Sequence, residues 1–405
     1  MKHQDLGARF FDLRRIDTRA YSMQIDQVKL YPVSLPFSDE FSHSLRKRLS
    51  ANNIIVEVIA EKGAIKGYGE GAPRSYVTGE SQDSAVESIC RFARQDNFPW
   101  ELNDVSQIWD FVDRLSNGKD QNSAICAIET ALLDAVGKHR GTSIIEYFPK
   151  DFLTGSVFYG AGIPLVRKSK ILEFSRLIKS KEIHRLKLKM GKDYAQNKEI
   201  IETVHHVFGD DCELKVDVNG VWNRALAYQH IPLLSKYEVK VLEQPMTPND
   251  PDLADFAGML QSSGVTLMAD ESACSLKDIK KIVKEGCYKM INIRLSKCGG
   301  IRNSLKLINY LRQNRIHFQI GCHMGESGLL SAVGRVLCLL CGDALFYEGS
   351  YDEFMLKENI TFKNVTFGSG GKAGPLNGFG LGVEVDPQRL KRLSKASAVL
   401  MISRP

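Results

Sequence analysis

From Val157 onward, short runs of apolar and β-branched residues recur at a nearly fixed interval, each followed by a longer stretch whose apolar positions repeat with helical period. The runs begin near Val157, Arg185, Glu213, Val239, Thr266, Lys289, His317 and Ala344, spaced roughly 23 to 28 residues apart. Helices are predicted between them, for example at residues 168–181, 224–236, 276–286 and 301–312. Strand, helix, strand repeated through eight strands predicts an α/β protein built as a closed parallel barrel, because right-handed crossovers of this length set each strand beside the last. An open doubly wound sheet is the competing arrangement.

The rest of the 405 residues follows another pattern. Strands are predicted near 27–35, 54–60 and 67–71 and helices near 82–94 and 122–139, which makes residues 1–150 a separate α+β unit. The barrel is then expected over 151–358. The Gly-rich, strand-forming tail over 359–405 is expected to return to the first unit.

Composition narrows the function classes. With 54 basic and 48 acidic residues the net charge of +6 comes from an even mixture, which does not point to nucleic acid. No run approaches the ~20 apolar residues a membrane span needs, and Met1 to Tyr21 lacks the apolar centre of a secretory signal. The nine cysteines are odd in number and often sit inside apolar runs, so a reduced cytoplasmic setting is expected. The C-x-x-C pair Cys338 and Cys341 lies in such a run and reads as core.

Three carboxylates close consecutive strands: Asp217 in Lys215-Val216-Asp217-Val218-Asn219, Glu243 in Leu242-Glu243-Gln244-Pro245, and Asp270 in Met268-Ala269-Asp270-Glu271-Ser272. Their spacings are 26 and 27 residues. In a parallel barrel such positions converge on the C-terminal mouth, where barrel active sites lie. Three negative charges gathered there call for a cation, and all-oxygen ligands favour a hard ion: Mg²⁺, with Mn²⁺ as the alternative. One strand upstream, Arg185-Leu186-Lys187-Leu188-Lys189-Met190 alternates, so Lys187 and Lys189 share a face. Two neighbouring ammonium groups inside a barrel would repel and lower a lysine pKa toward the range of a general base.

These residues resemble the enolase superfamily, specifically its muconate lactonizing enzyme subgroup. The resemblance also covers Gly67-Tyr68-Gly69-Glu70-Gly71-Ala72-Pro73, Thr78-Gly79-Glu80, Ala127-Ile128-Glu129-Thr130-Ala131-Leu132-Leu133-Asp134, Lys297-Cys298-Gly299-Gly300-Ile301 and Gly374-Pro375. It implies an N-terminal α+β capping domain over a modified TIM barrel, (β/α)₇β. It further implies Mg²⁺ on Asp217, Glu243 and Asp270, Lys189 as the acid/base with Lys187 beside it, and a small carboxylate substrate with its enolate stabilised by the ion. A homo-oligomer is the expected assembly, with neither nucleic acid nor membrane as partner.

Departures from the subgroup bear on the net reaction. Its second catalytic lysine on the sixth strand is replaced by arginine in Ile291-Asn292-Ile293-Arg294-Leu295. Arginine stays charged and is a poor base, which favours one-base elimination or cycloisomerisation over two-base epimerisation. Lys297 is a candidate replacement, although its odd offset from Arg294 sets it on the other face of an ideal strand. His323 is a candidate acid for a leaving group, or a histidine that bonds its own loop. Glu348 and Asp352 stand where epimerases of the subgroup carry an Asp-x-Asp for a substrate ammonium. Asn219 is a further candidate contact.

By position, substrate-selecting loops of the first unit fall over residues 38–48 and 74–79, with His43, Arg46, Arg74 and Tyr76 as candidate contacts. The leading expectation is a metal-dependent lyase or isomerase of a small carboxylate. A dipeptide or N-acyl amino acid epimerase is the rival, and a barrel that binds a carboxylate without turning it over is the reading from another class.

Overall fold

The computed structural model describes residues 21–43, 46–116, 118–394 and 400–404, with side chains given outside 39–48, so His43 and Arg46 lie outside the described side chains. A five-stranded antiparallel sheet takes Met23–His43, Arg46–Ala60 and Ile65–Gly71 in order, with Leu400–Ser403 on the outer edge and the short strand Glu101–Leu102 paired to the first. Leu400–Ser403 thus pairs antiparallel with Met23–His43, the first described strand.

Against this sheet lies the helix Asn122–Arg140, buried on every side from Asn122 to Gly137. It comes unusually close to the strand Ile65–Gly71. A Cβ on Gly67 or Gly69 would sit 2.3 or 2.2 Å from the carbonyl oxygens of Ala131 and Ala127. The glycines of the Gly-Tyr-Gly-Glu-Gly run are thus a packing requirement of helix on strand.

The second sheet has eight parallel strands in sequential order: Ala161–Ile163, Arg185–Lys189, Glu213–Asp217, Val241–Glu243, Thr266–Ala269, Met290–Arg294, His317–Gly321 and Phe346–Tyr347. A parallel bridge from Tyr159 to Tyr347, with the Gly160 amide on the Tyr347 carbonyl at 2.9 Å, brings the last strand back to the first. The fold is α/β, a (β/α)₇β barrel with the five-stranded sheet capping it. The first barrel strand starts later than the apolar pattern suggests, because Val157–Phe158 pairs antiparallel with Lys372–Ala373 instead.

The barrel interior is tiered by the two-residue period of its strands. Val241, Met268, Met290 and Phe346 form a small apolar cluster at the floor. Two residues further along the same strands, and so on the same face, come Glu243, Asp270, Asn292 and Glu348. Interior positions that are apolar at one level become polar and charged at the next, toward the C-terminal ends.

Buried carboxylates fasten the two sheets together. Glu70 accepts the amides of Ser327 and Leu330 at the start of the barrel helix Gly328–Leu340. Glu129 accepts those of Ile301 and Arg302, at 2.7 and 2.8 Å, at the start of Gly300–Gln313. In both, an anion meets the unsatisfied N–H groups and positive end of a helix. Asp134 instead takes the amides of Tyr68, on the strand Ile65–Gly71, and of Leu381 in the tail. Among the described residues no helix is long and apolar enough to cross a membrane.

Candidate active site

Asp217, Glu243 and Asp270 stand at the C-terminal ends of the third, fourth and fifth barrel strands, and all three are fully buried. Asp217 pairs in register with Glu243, so the first two lie side by side. Lys189 ends the second strand and places Nζ 2.5 Å from Asp217 Oδ2 and 2.9 Å from Asn219 Oδ1. Asn219 sits at φ +52°, a left-handed conformation that asparagine tolerates better than most residues. That turn aims its side chain back at Lys189, while its amide nitrogen reaches Glu271 Oε1 at 3.0 Å. Asn219 thus orients the lysine.

Arg294 comes from the sixth strand and contacts Asp270, with Nη2 also 3.2 Å from Glu243 Oε1. Because the strand order is sequential around an eight-membered ring, the second and sixth strands face each other across it. Lys189 and Arg294 therefore approach the mouth from opposite walls, with the three carboxylates on the wall between. Asp270 and Glu243 outweigh burial and hold the Arg294 guanidinium well above even its usual range.

Lys187 points inward as its alternation requires, but its surroundings reverse the expected pKa change. Burial pushes the ammonium down, yet Glu243, Glu348 and Asp217 prevail and raise it well above the usual lysine range. The reason is long-range: Lys187 contacts Glu348 and lies 3.3 Å from Glu243, so carboxylates from the fourth and eighth strands outnumber its lysine neighbour. Burial likewise pushes Glu243 up, but Lys187 and Arg294 hold it well below the carboxylate range. Asp217 goes the other way, raised by burial and by the charge of Glu243.

Several candidates are held elsewhere than the sequence suggests. Lys297 lies on a helical turn, Leu295–Cys298, instead of the strand, and is fully enclosed. Its Nζ donates to the Asp270 carbonyl, Asp270 Oδ1 and the Asn292 carbonyl at 2.7, 3.0 and 2.6 Å, which makes it a strut behind Asp270 and not a second base. Arg74 is buried and clamps Asn53, Pro73 and the Met324 carbonyl, tying the cap to the loop after the seventh strand. Tyr76, on the same loop, is half-buried. Asp352 opens a short helix and turns to Asn359 Nδ2 and the Val365 amide, at 2.7 and 2.9 Å, so it anchors the tail.

His323 is buried, and burial together with Arg294, Arg74 and Lys297 pushes its pKa well below the usual value. Burial among three cations favours the neutral imidazole, which argues against an acid at that position. Glu348 is at the mouth as expected, but Lys187 and Lys215 already hold its two oxygens.

Two further site residues, Lys215 and Glu271, carry no motif that singles them out in the sequence. Lys215 precedes Asp217 by two residues on one strand, so the alternation that turns Lys187 inward turns it inward too and is the signal that could find it. Glu271 adjoins Asp270; burial and the charges of Asp270 and Asp217 push its carboxyl up to about 7.

Asp217, Glu243 and Asp270 form an all-oxygen donor set that suits a hard divalent ion. Among the described residues no three carboxylates stand close enough to hold one as they are, since Arg294 and the lysines lie between them. The donor chemistry fits such an ion, and Arg294 would have to give way from Asp270 for one to enter.

Residues 27–148 match the model of the mandelate racemase/muconate lactonizing enzyme N-terminal domain, and residues 171–389 that of the enolase C-terminal domain-like family. An L-Ala-D/L-Glu epimerase from Bacteroides thetaiotaomicron is 30% identical over 318 residues, 76% of each chain. A dipeptide epimerase from Enterococcus faecalis, solved with Mg and the dipeptide L-Leu-L-Tyr, superposes with a TM-score of 0.77 at 24% identity over 89% of this chain and 99% of its own. A muconate lactonizing enzyme from Pseudomonas fluorescens, solved with muconolactone, gives 0.81 at 22% identity over 93% and 100%. At such identities the two structures show a shared fold. With family models spanning both parts and a relative matched along 76% of its length, this chain belongs to the mandelate racemase/muconate lactonizing enzyme family of the enolase superfamily, a family of metal-dependent isomerases and lyases.

Proposed function

We propose that this enzyme removes the proton next to a substrate carboxylate with Lys189 as its only base, and that the net reaction is an elimination or a cycloisomerisation of a small carboxylate. The observation that carries this is the opposition of Lys189 and Arg294 across the barrel mouth. A substrate carbon between those walls meets the Lys189 amine on one face and a permanent cation on the other. Asp217, Glu243 and Asp270 would hold Mg²⁺, as the E. faecalis epimerase was solved with Mg. When bound, the ion supplies positive charge against which the substrate carboxylate takes up the electrons released at the neighbouring carbon.

Asn219 fixes the direction of Lys189, and Lys297 fixes Asp270 from behind. Arg294 offers charge, and a hydrogen-bond donor, to a group leaving from the face opposite Lys189. The rival reading, epimerisation of a dipeptide or N-acyl amino acid, is favoured by the activity of the Bacteroides relative. Proton exchange at the α-carbon in D₂O tests the base. Lys189→Ala is expected to lose about 10²-fold or more of the exchange rate while keeping Mg²⁺ affinity by calorimetry. A variant that exchanges at the wild-type rate removes Lys189 from the role.

A further inference from the structure

Glu348 follows the eighth strand at the barrel mouth and is almost fully buried. Alone there, such a carboxylate would attract a cationic group of the substrate. Both of its oxygens are already engaged: Lys187 donates to Oε2, and Lys215 Nζ lies 2.6 Å from Oε1. Lys215 itself is enclosed, donating also to Gln319 Oε1 and standing 4.4 Å from the centre of the Phe346 ring. It is locked onto Glu348 and is 2% exposed, so it does not reach the substrate.

We propose that Lys215 is a positioning residue that sets substrate class by saturating Glu348, so that the mouth beside the eighth strand accepts an oxygen-bearing group, an acyl carbonyl or a second carboxylate, and rejects a free ammonium. Lys187 and Lys215 each hold one oxygen of Glu348, and Lys187 is shared with Glu243 at 3.3 Å. An incoming ammonium would have to displace one lysine or stand against both, in a buried setting where like charges repel strongly. An incoming carbonyl or carboxylate meets Lys187, the more exposed of the two lysines at 8% against 2%. The inference narrows the substrate of the proposed function and rests on that site for its location.

Three N-acylglycines differing only at the acyl end test it: N-acetylglycine, N-succinylglycine and glycylglycine, titrated calorimetrically into the Mg²⁺-loaded full chain. The wild type is expected to bind the better of the first two at least ~10-fold more tightly than glycylglycine, a difference of about 1.4 kcal/mol. Whether acetyl or succinyl leads tells carbonyl from carboxylate. Lys215→Met, which frees one oxygen of Glu348, is expected to move the ratio at least ~10-fold toward glycylglycine. A mere packing role for Lys215 would weaken all three ligands alike.

Glycylglycine binding as tightly as the other two, no binding by either acyl ligand, or a ratio unmoved in folded Lys215→Met each overturns the proposal. Should that variant not fold, the wild-type ratio decides alone. Preference for the acyl ligands without α-proton exchange into any carboxylate would sink the proposed chemistry and leave this subsite standing.

Discussion

Replacing Arg294 by lysine asks whether the cation on the sixth strand is what restricts the enzyme to one face. To act as a base at pH 8, an arginine, which titrates about 4.5 units higher, must first lose a proton at a cost of roughly 6 kcal/mol, about 3 × 10⁴ in rate. Lysine titrates about two units lower, so Arg294→Lys is expected to speed proton removal from that face by roughly 10²-fold. The assay is deuterium uptake at the α-carbon, followed by NMR with each enantiomer of a turned-over carboxylate supplied separately. Wild type should exchange one enantiomer and leave the other at least ~10⁴-fold slower, a gap that Arg294→Lys narrows. If wild type exchanges both within ~10-fold of each other, a second base exists and the one-base argument fails.

Two further expectations concern the frame and its pH response. Gly300 has φ +90°, and a Cβ there would fall 1.8 Å from Glu129 Oε2. Gly300→Ala should therefore combine left-handed strain of ~1–3 kcal/mol with loss of at least one charge-assisted bond of ~1.5–3 kcal/mol. Urea unfolding should show a loss above ~2.5 kcal/mol, and a loss below ~1 would mean the carboxylate shifts freely. His323 is pushed down by burial and by Arg294, Arg74 and Lys297, so the folded state resists protonation that the unfolded chain accepts near its ordinary value. Its contribution to stability is present above pH ~6.5 and is lost as the pH falls below it toward the depressed folded value. His323→Asn should flatten the acid side of the melting-temperature profile; an NMR titration of His323 centred near 6.5 in the folded protein would contradict this.

The elements with a strong local signal are legible in the amino-acid sequence. The helix predicted at 224–236 is the observed Arg224–Lys236, and seven of the eight barrel strands start within two residues of their predicted places. Asp217, Glu243 and Asp270 are legible for the same reason, since a strand followed by a polar turn repeats its own geometry each time. The first barrel strand is displaced from its predicted start because Val157–Phe158 is as good a strand former as Ala161–Ile163, and only a distant partner, Lys372–Ala373, claims it.

Periodicity says which way a side chain points, and for Lys187, Lys189 and Arg294 that is enough to direct them into the barrel. What each one meets there depends on residues scores of positions away: Glu348 stands 161 residues from the Lys187 it holds, and Arg74 reaches Met324 across 250. Charge state, and the division of the polar residues into struts and reactive groups, are therefore properties of the closed barrel and its cap. The chain alone determined the ring of strands and the carboxylates at its mouth, because those arise from short-range alternation and twist. Tertiary structure decided that Lys297, Arg74 and Asp352 are braces and that Glu348 is already occupied, because hydrogen bonds and Coulomb interactions act through space and leave no period in the sequence.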